Sequence, residues 1–243
     1  MSKILAFLIL AGLLISGCQP GQLSKQKDDS IKDVKFTTDD GWTIAGTFYK
    51  GHKNDTILLL HMLGRDRRDL DRLAKEINLR GYPVLTIDLR GHGESTQFSN
   101  TQRKYSAFTQ DDFRSMPKDV EAAKSFIQEQ NKTMSAIVGA SIGANTALNY
   151  AATDKSIKTV VLISPGLDYR GLGIMEAAKI YDGSALTIAS KEDVYSADSS
   201  KKINDALTGK KDLNILTGGA HGTDILSTEI NNEVVSWIMD KVK

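Results

Sequence analysis

The chain has 243 residues, 40% hydrophobic and 25% charged, a mixture that can bury one core of ordinary domain size. Its 31 basic and 30 acidic side chains leave a formal charge of +1, which argues against nucleic acid or an anionic lipid surface as an electrostatic partner. The single cysteine excludes an intramolecular disulfide.

Lys3 precedes an apolar run over residues 4–15, and Ser16-Gly17-Cys18 follows it. The run is shorter than a membrane-spanning helix needs and has the layout of a secretory signal peptide, residues 1–17. Its end, Leu14-Ile15-Ser16-Gly17-Cys18, resembles the lipobox of bacterial lipoproteins. That resemblance implies that Cys18 becomes the lipidated first residue of the mature protein, in the bacterial cell envelope. An exported protein with one unpaired thiol directly after its leader is otherwise hard to account for. Residues 18–32 are polar, carry Pro20 and Gly21, and read as a tether. The folded domain then occupies residues 33–243.

Residues 34–38 and 42–49 alternate apolar with polar around Asp39-Asp40-Gly41, which predicts an antiparallel hairpin with one buried face. Residues 56–60 are apolar on both faces, as a central parallel strand should be. Helical spacing of Leu70, Leu73, Ala74 and Ile77 predicts a helix over 67–79, and residues 83–87 form the next strand. A helix follows over 119–130. Residues 134–139 read as strand and continue as helix to about residue 152. The remaining strands are predicted over 157–163, 185–189 and 212–216, with helices over 175–180, around 199–207 and over 225–242. This alternation predicts an α/β domain: a mostly parallel sheet of about eight strands with helices on both faces.

In such a sheet, ligands bind outside the carboxyl ends of the strands. The strand ends here deliver His61-Met62-Leu63-Gly64, Asp88-Leu89-Arg90-Gly91-His92-Gly93-Glu94-Ser95, Gly139-Ala140-Ser141-Ile142-Gly143, Ser164-Pro165-Gly166, Lys191-Glu192-Asp193 and finally His221. Ser141 stands where strand becomes helix, inside a G-x-S-x-G motif whose glycines allow a tight backbone approach and expose the hydroxyl. Of the four histidines, His221 lies in a glycine-rich loop from which an imidazole can reach Ser141. His61 and His92 read as loop braces, and His52 as a solvated turn residue. Asp193 follows a later strand as a candidate acid, and Asp168, which also follows a strand, is the alternative.

Over residues 34–241, the set resembles the α/β-hydrolase family, and the 88–95 run resembles a loop of its esterases, peptidases and acyl-glycerol lipases. The resemblance implies Ser141 as nucleophile, His221 as general base, Asp193 as acid, and the backbone N–H groups of Leu63 and Ile142 as the oxyanion hole. Met62 stands where the family usually has glycine. No cofactor and no metal are expected. Residues 164–184 leave room for one short helix rather than a large cap, and residues 96–111 are expected to rim the entrance. Tyr169, Leu172, Ile174, Met175 and Tyr181 either line an acyl pocket or seal the sheet. The expected activity is hydrolysis of small to medium carboxylic esters, with a peptidase, an acyltransferase or an inactive binding module as alternatives. Cys18→Ser is expected to shift the protein from membrane to soluble fractions on cell fractionation, and continued membrane association of that variant would count against the lipid anchor.

Overall fold

A computed structural model describes residues 30–242; the expected leader, most of the tether and Cys18 lie outside them. The long strands are β1 (Ile31–Thr37), β2 (Trp42–Tyr49), β3 (Asp55–Leu60), β4 (Val84–Ile87), β5 (Thr133–Ala140), β6 (Thr159–Ile163), β7 (Ser184–Ser190) and β8 (Lys211–Leu216). The helices are α1 (Asp71–Asn78), α2 (Gln110–Arg114), α3 (Pro117–Glu129), α4 (Ile142–Thr153), α5 (Met175–Ile180), α6 (Val194–Ala206) and α7 (Thr228–Lys241). The sheet runs β8-β7-β6-β5-β3-β4-β2, with β1 on the far side of β2. From β4 to β8 neighbouring strands are parallel, whereas β2 pairs antiparallel with both β1 and β4. Two-residue strands at Gln97–Phe98 and Thr101–Gln102 extend the sheet beside the start of β2.

The apolar run of β3 explains the layering. Leu58 and Leu60 face a core shared with α3, α4, α5 and α6, while Ile57 and Leu59 face α1 and α7 on the opposite side. Among the described residues, no helix is long and apolar enough to cross a membrane.

Three helix boundaries differ from expectation, each for a local reason. The helix expected from residue 67 begins as a 3₁₀ turn, Arg67–Leu70, capped by the Asp66 carboxylate. Arg67 is unavailable for a solvent-facing helix because its guanidinium is buried against Asp88. α6 starts at Val194, five residues earlier than its apolar pattern marks, since its first turn exposes Val194 and Tyr195. α7 starts at Thr228, where the Ser227 hydroxyl accepts from the Ile230 N–H at 3.2 Å, a side-chain cap of the usual kind.

Buried ion pairs and histidines fasten the loops on the carboxyl side of the sheet. The Asp88 carboxylate accepts from the Arg67 guanidinium, from Arg67 N at 2.8 Å and from Glu94 N at 2.8 Å. Gly93 (φ 48°) lies on this carboxylate, where an added methyl would come within 2.2 Å of it. The Arg90 guanidinium donates to Asp119 at the start of α3 and to Asp40 in the first hairpin turn, both at 2.8 Å. His61 is fully buried; its Nδ1–H donates to the Met62 carbonyl at 2.7 Å, and its Nε2 accepts from Leu89 N at 2.9 Å. His92 bonds the Arg90 carbonyl at 2.9 Å and stacks on Tyr105 at 4.2 Å. Both histidines therefore brace loops, whereas His52 is exposed and covers Gly81.

Burial pushes the pKa of His61 down to about 4, and burial reinforced by the neighbouring His61 does the same for His92. The unfolded imidazoles take up protons near 6.5 while the folded ones stay neutral until about 4. Their stabilising contribution is thus complete above pH 6.5 and is lost as pH falls from 6.5 to 4, by roughly 3 kcal/mol for His61. Urea midpoints are expected to hold steady above that window and to drop within it. His61→Gln should be less stable at neutral pH yet show a shallower drop, and an unchanged slope in that variant would contradict this account.

Candidate active site

The site begins at the junction of β5 and α4. Ser141 alone separates them, with φ 54° and ψ −117°, a sparsely populated conformation for a side chain other than glycine. Two close contacts require it. A methyl added at Gly139 would lie 2.2 Å from the Gly143 carbonyl oxygen, and one at Gly143 would lie 2.6 Å from the His61 carbonyl and 2.8 Å from that of Leu60. The first turn of α4 is therefore pressed against both its own strand and the end of β3. Ser141 N still donates to the Ile163 carbonyl at 2.8 Å, which ties the turn to β6.

Later strands bring two more side chains to this point. His221, in the loop after β8, places Nε2 2.8 Å from the Ser141 hydroxyl oxygen. Its Nδ1 lies 2.6 Å from the Asp193 carboxylate, at the turn between β7 and α6. A neutral imidazole with its proton on Nδ1 satisfies both contacts, donating to Asp193 and accepting from Ser141. Asp168 is elsewhere: it is exposed, and its carboxylate accepts from Gly171 N at 2.7 Å to close a turn. Glu192 is also exposed.

The loop carrying His221 is held from below. Gly222 N donates to the Ser164 hydroxyl at 2.9 Å, and Ser164 at the end of β6 has a positive φ of its own, 49°. Gly222 (φ 59°) leaves room for the Met62 thioether, since an added methyl would meet its sulfur at 2.4 Å. The residue occupying the family's usual glycine position thus packs on the loop that presents the imidazole.

A cleft of about 280 Å³ opens over Ser141 and His221. Met62 and Leu63 line it from the end of β3, Ile142 from the first turn of α4, and Tyr169 and Arg170 from the segment after β6. That segment replaces a cap with a small antiparallel hairpin, Asp168–Tyr169 paired to Leu172–Gly173, followed by α5. Leu172, Ile174 and Tyr181 are buried in the core that includes α4, so they seal the sheet, and of this set Tyr169 lines the cleft. Residues 96–111 do not rim it: Phe98 and Phe108 pack on Trp42 at 5.2 and 5.4 Å, and Thr96, Lys104 and Tyr105 line a separate cleft beside His92.

Sequence reasoning marked Ser164 as a strand end without giving it a role, and missed Ser196. The Ser196 hydroxyl sits 3.3 Å from His221 Nδ1 and 3.0 Å from the Tyr169 hydroxyl, which in turn bonds the Ser164 carbonyl at 3.2 Å. Burial raises the Tyr169 phenol above its ordinary pKa, so it stays protonated and able to donate. Ser196 lies three residues after Asp193 in the first turn of α6, a placement invisible until the true start of that helix is known.

Residues 51–184 match the family model described as serine aminopeptidase, S33. The match includes the elbow at Ser141 and stops short of Asp193 and His221. Comparison with curated protein sequences finds no match. Among solved structures, an esterase from Pyrococcus furiosus aligns with a TM-score of 0.70 and 17% identity, covering 88% of this chain and 93% of that one. A dienelactone hydrolase from Anabaena variabilis aligns with a TM-score of 0.72 at 16% identity, covering 88% and 100%. A cold-adapted esterase from an Arctic intertidal metagenomic library gives 0.71 at 20% identity, covering 90% and 97%. At such identities the likeness is one of fold. The model match spans more than half of the chain, and sheet order and strand-end elbow agree with it: this chain has the α/β-hydrolase fold and belongs to the serine aminopeptidase, S33, family of hydrolases.

Proposed function

We propose that the protein is a serine hydrolase that cleaves carboxylic esters of small to medium size through an acyl-enzyme. The observation that carries this reading is the relay Ser141–His221–Asp193, with spacings of 2.8 and 2.6 Å, opening into a cleft beside a positive-φ elbow. A serine hydroxyl is a weak nucleophile until a base takes its proton. In this reading His221 Nε2 accepts that proton as Ser141 Oγ attacks the ester carbonyl carbon. The carbonyl oxygen becomes an oxyanion, held by the N–H groups of Ile142 and Leu63. Collapse breaks the carbon–alkoxide bond, and His221 returns the proton to the leaving alcohol. Water, activated by the same imidazole, then attacks the acyl-enzyme and frees Ser141. Asp193 keeps the proton on Nδ1 and stabilises the imidazolium.

The family description points to a second reading, an aminopeptidase. An enzyme that binds a free amino terminus places a carboxylate near the scissile bond to pair with the ammonium group. The residues lining this cleft include no carboxylate, and the one formal charge among them is the cation of Arg170. That charge favours esters over amino-terminal peptides. Lipid attachment at Cys18, in the same proposal, tethers the domain to a membrane of the cell envelope.

Ser141→Ala is expected to abolish turnover of short p-nitrophenyl esters, and labelling by a fluorophosphonate probe, without loss of thermal stability. Asp193→Asn should lower kcat on the order of 10⁴-fold by disturbing the imidazole tautomer. Ester turnover surviving in Ser141→Ala would sink the proposal, and faster cleavage of aminoacyl p-nitroanilides than of matched esters would favour the peptidase.

A further inference from the structure

The hairpin above the cleft turns through Arg170 and Gly171, with φ of 58° and 86°. Two central residues at positive φ mark a two-residue turn in which asparagine, aspartate or glycine is the favoured first residue. Arginine is a costly choice there, because an ordinary side chain is strained in that region. Of the nine described arginines, seven use the guanidinium in hydrogen bonds or ion pairs; Arg80 and Arg170 have no such partner. Arg80 lies on the exposed turn after α1, whereas Arg170 lines the cleft that holds Ser141.

The hairpin is also fixed rigidly. The Asn145 amide donates to the Gly166 and Leu172 carbonyls, Asn149 to that of Gly173, and Arg114 to that of Gly171, at 2.8–3.0 Å. The Tyr195 hydroxyl bonds both Asp168 N (3.0 Å) and its carbonyl (2.9 Å). The backbone that carries this unpaired cation is thus fixed beside the cleft that holds the reactive serine. Prepaid ordering of this kind strengthens ligand binding.

Resting on the serine-hydrolase reading, we infer that Arg170 is a specificity-determining residue that selects esters bearing a carboxylate close to the scissile bond. A guanidinium matches a carboxylate in a bidentate, charge-assisted pair. The lining offers no other charged side chain to compete for it.

The test compares kcat/KM for charged and neutral esters of matched size. One pair carries the charge on the acyl side, mono-p-nitrophenyl glutarate against p-nitrophenyl pentanoate; the other carries it on the alcohol side, 4-acetoxybenzoate against phenyl acetate. The wild-type protein is expected to prefer the charged member of at least one pair by about tenfold or more. Arg170→Asn, which suits the turn better and should raise thermal stability, is expected to bring that ratio close to one. Arg170→Glu should invert it, and Arg170→Lys should keep part of it. Arg80→Met removes the same charge far from the cleft and should leave the ratio as it is. A ratio near one for both pairs in the wild-type protein, or a preference that survives Arg170→Asn, overturns the inference. Fluorophosphonate labelling of wild type separates the two levels: a protein that fails to label refutes the serine-hydrolase reading itself, while one that labels but shows no charge preference refutes only the role of Arg170.

Discussion

The contact between the first turn of α4 and the ends of β3 and β5 governs everything else at the site. Gly139 and Gly143 make it possible, because each would collide with backbone if it carried a single methyl group. Backbone on backbone leaves no side chain that could rotate away, so the separation is fixed by hard-core repulsion. That separation forces Ser141 into its positive-φ conformation and aims its hydroxyl out of the sheet. It also sets the His61–Leu63 segment beside Ile142, since Gly143 rests on the His61 carbonyl. Nucleophile position and the spacing of the two expected oxyanion donors are thus one geometric fact seen from two sides.

A second layer of order comes from polar groups on both sides of the cleft. Asp88, Arg90, Asp119 and His61 fasten the β3 and β4 loops through bonds that are shielded from water. The His221 loop is tied down as well: Gly222 N donates to the Ser164 hydroxyl, the Thr223 hydroxyl to Asp69 and the Arg65 guanidinium to Asp224.

Much of the architecture was legible because its signals are strong. The apolar run of β3 can only be a strand covered on both faces, and the chain order of Ser141, Asp193 and His221 followed from which strand each residue ends. What escaped was decided by tertiary neighbours. Arg67 reads as an exposed helical residue, yet its guanidinium is drawn into the interior by Asp88, 21 residues away. The early start of α6 hid behind exposed Val194 and Tyr195, and Ser196 was lost with it. Residues 96–111 read as polar by composition, but Phe98 and Phe108 anchor them to Trp42 and away from the Ser141 cleft. Ser164 stood at a strand end with no sign of its task; its hydroxyl matters because a loop 58 positions later folds back onto it.

The Met62–Gly222 contact has a consequence for how this chain can change over time. Sulfur and glycine share one volume, so the residue types permitted at either position depend on the other. A smaller residue at 62 opens a void beside the base loop, and any side chain at 222 meets both the Met62 sulfur and the strain of a positive φ. Exchange at either position therefore disturbs the loop that presents the His221 imidazole to Ser141.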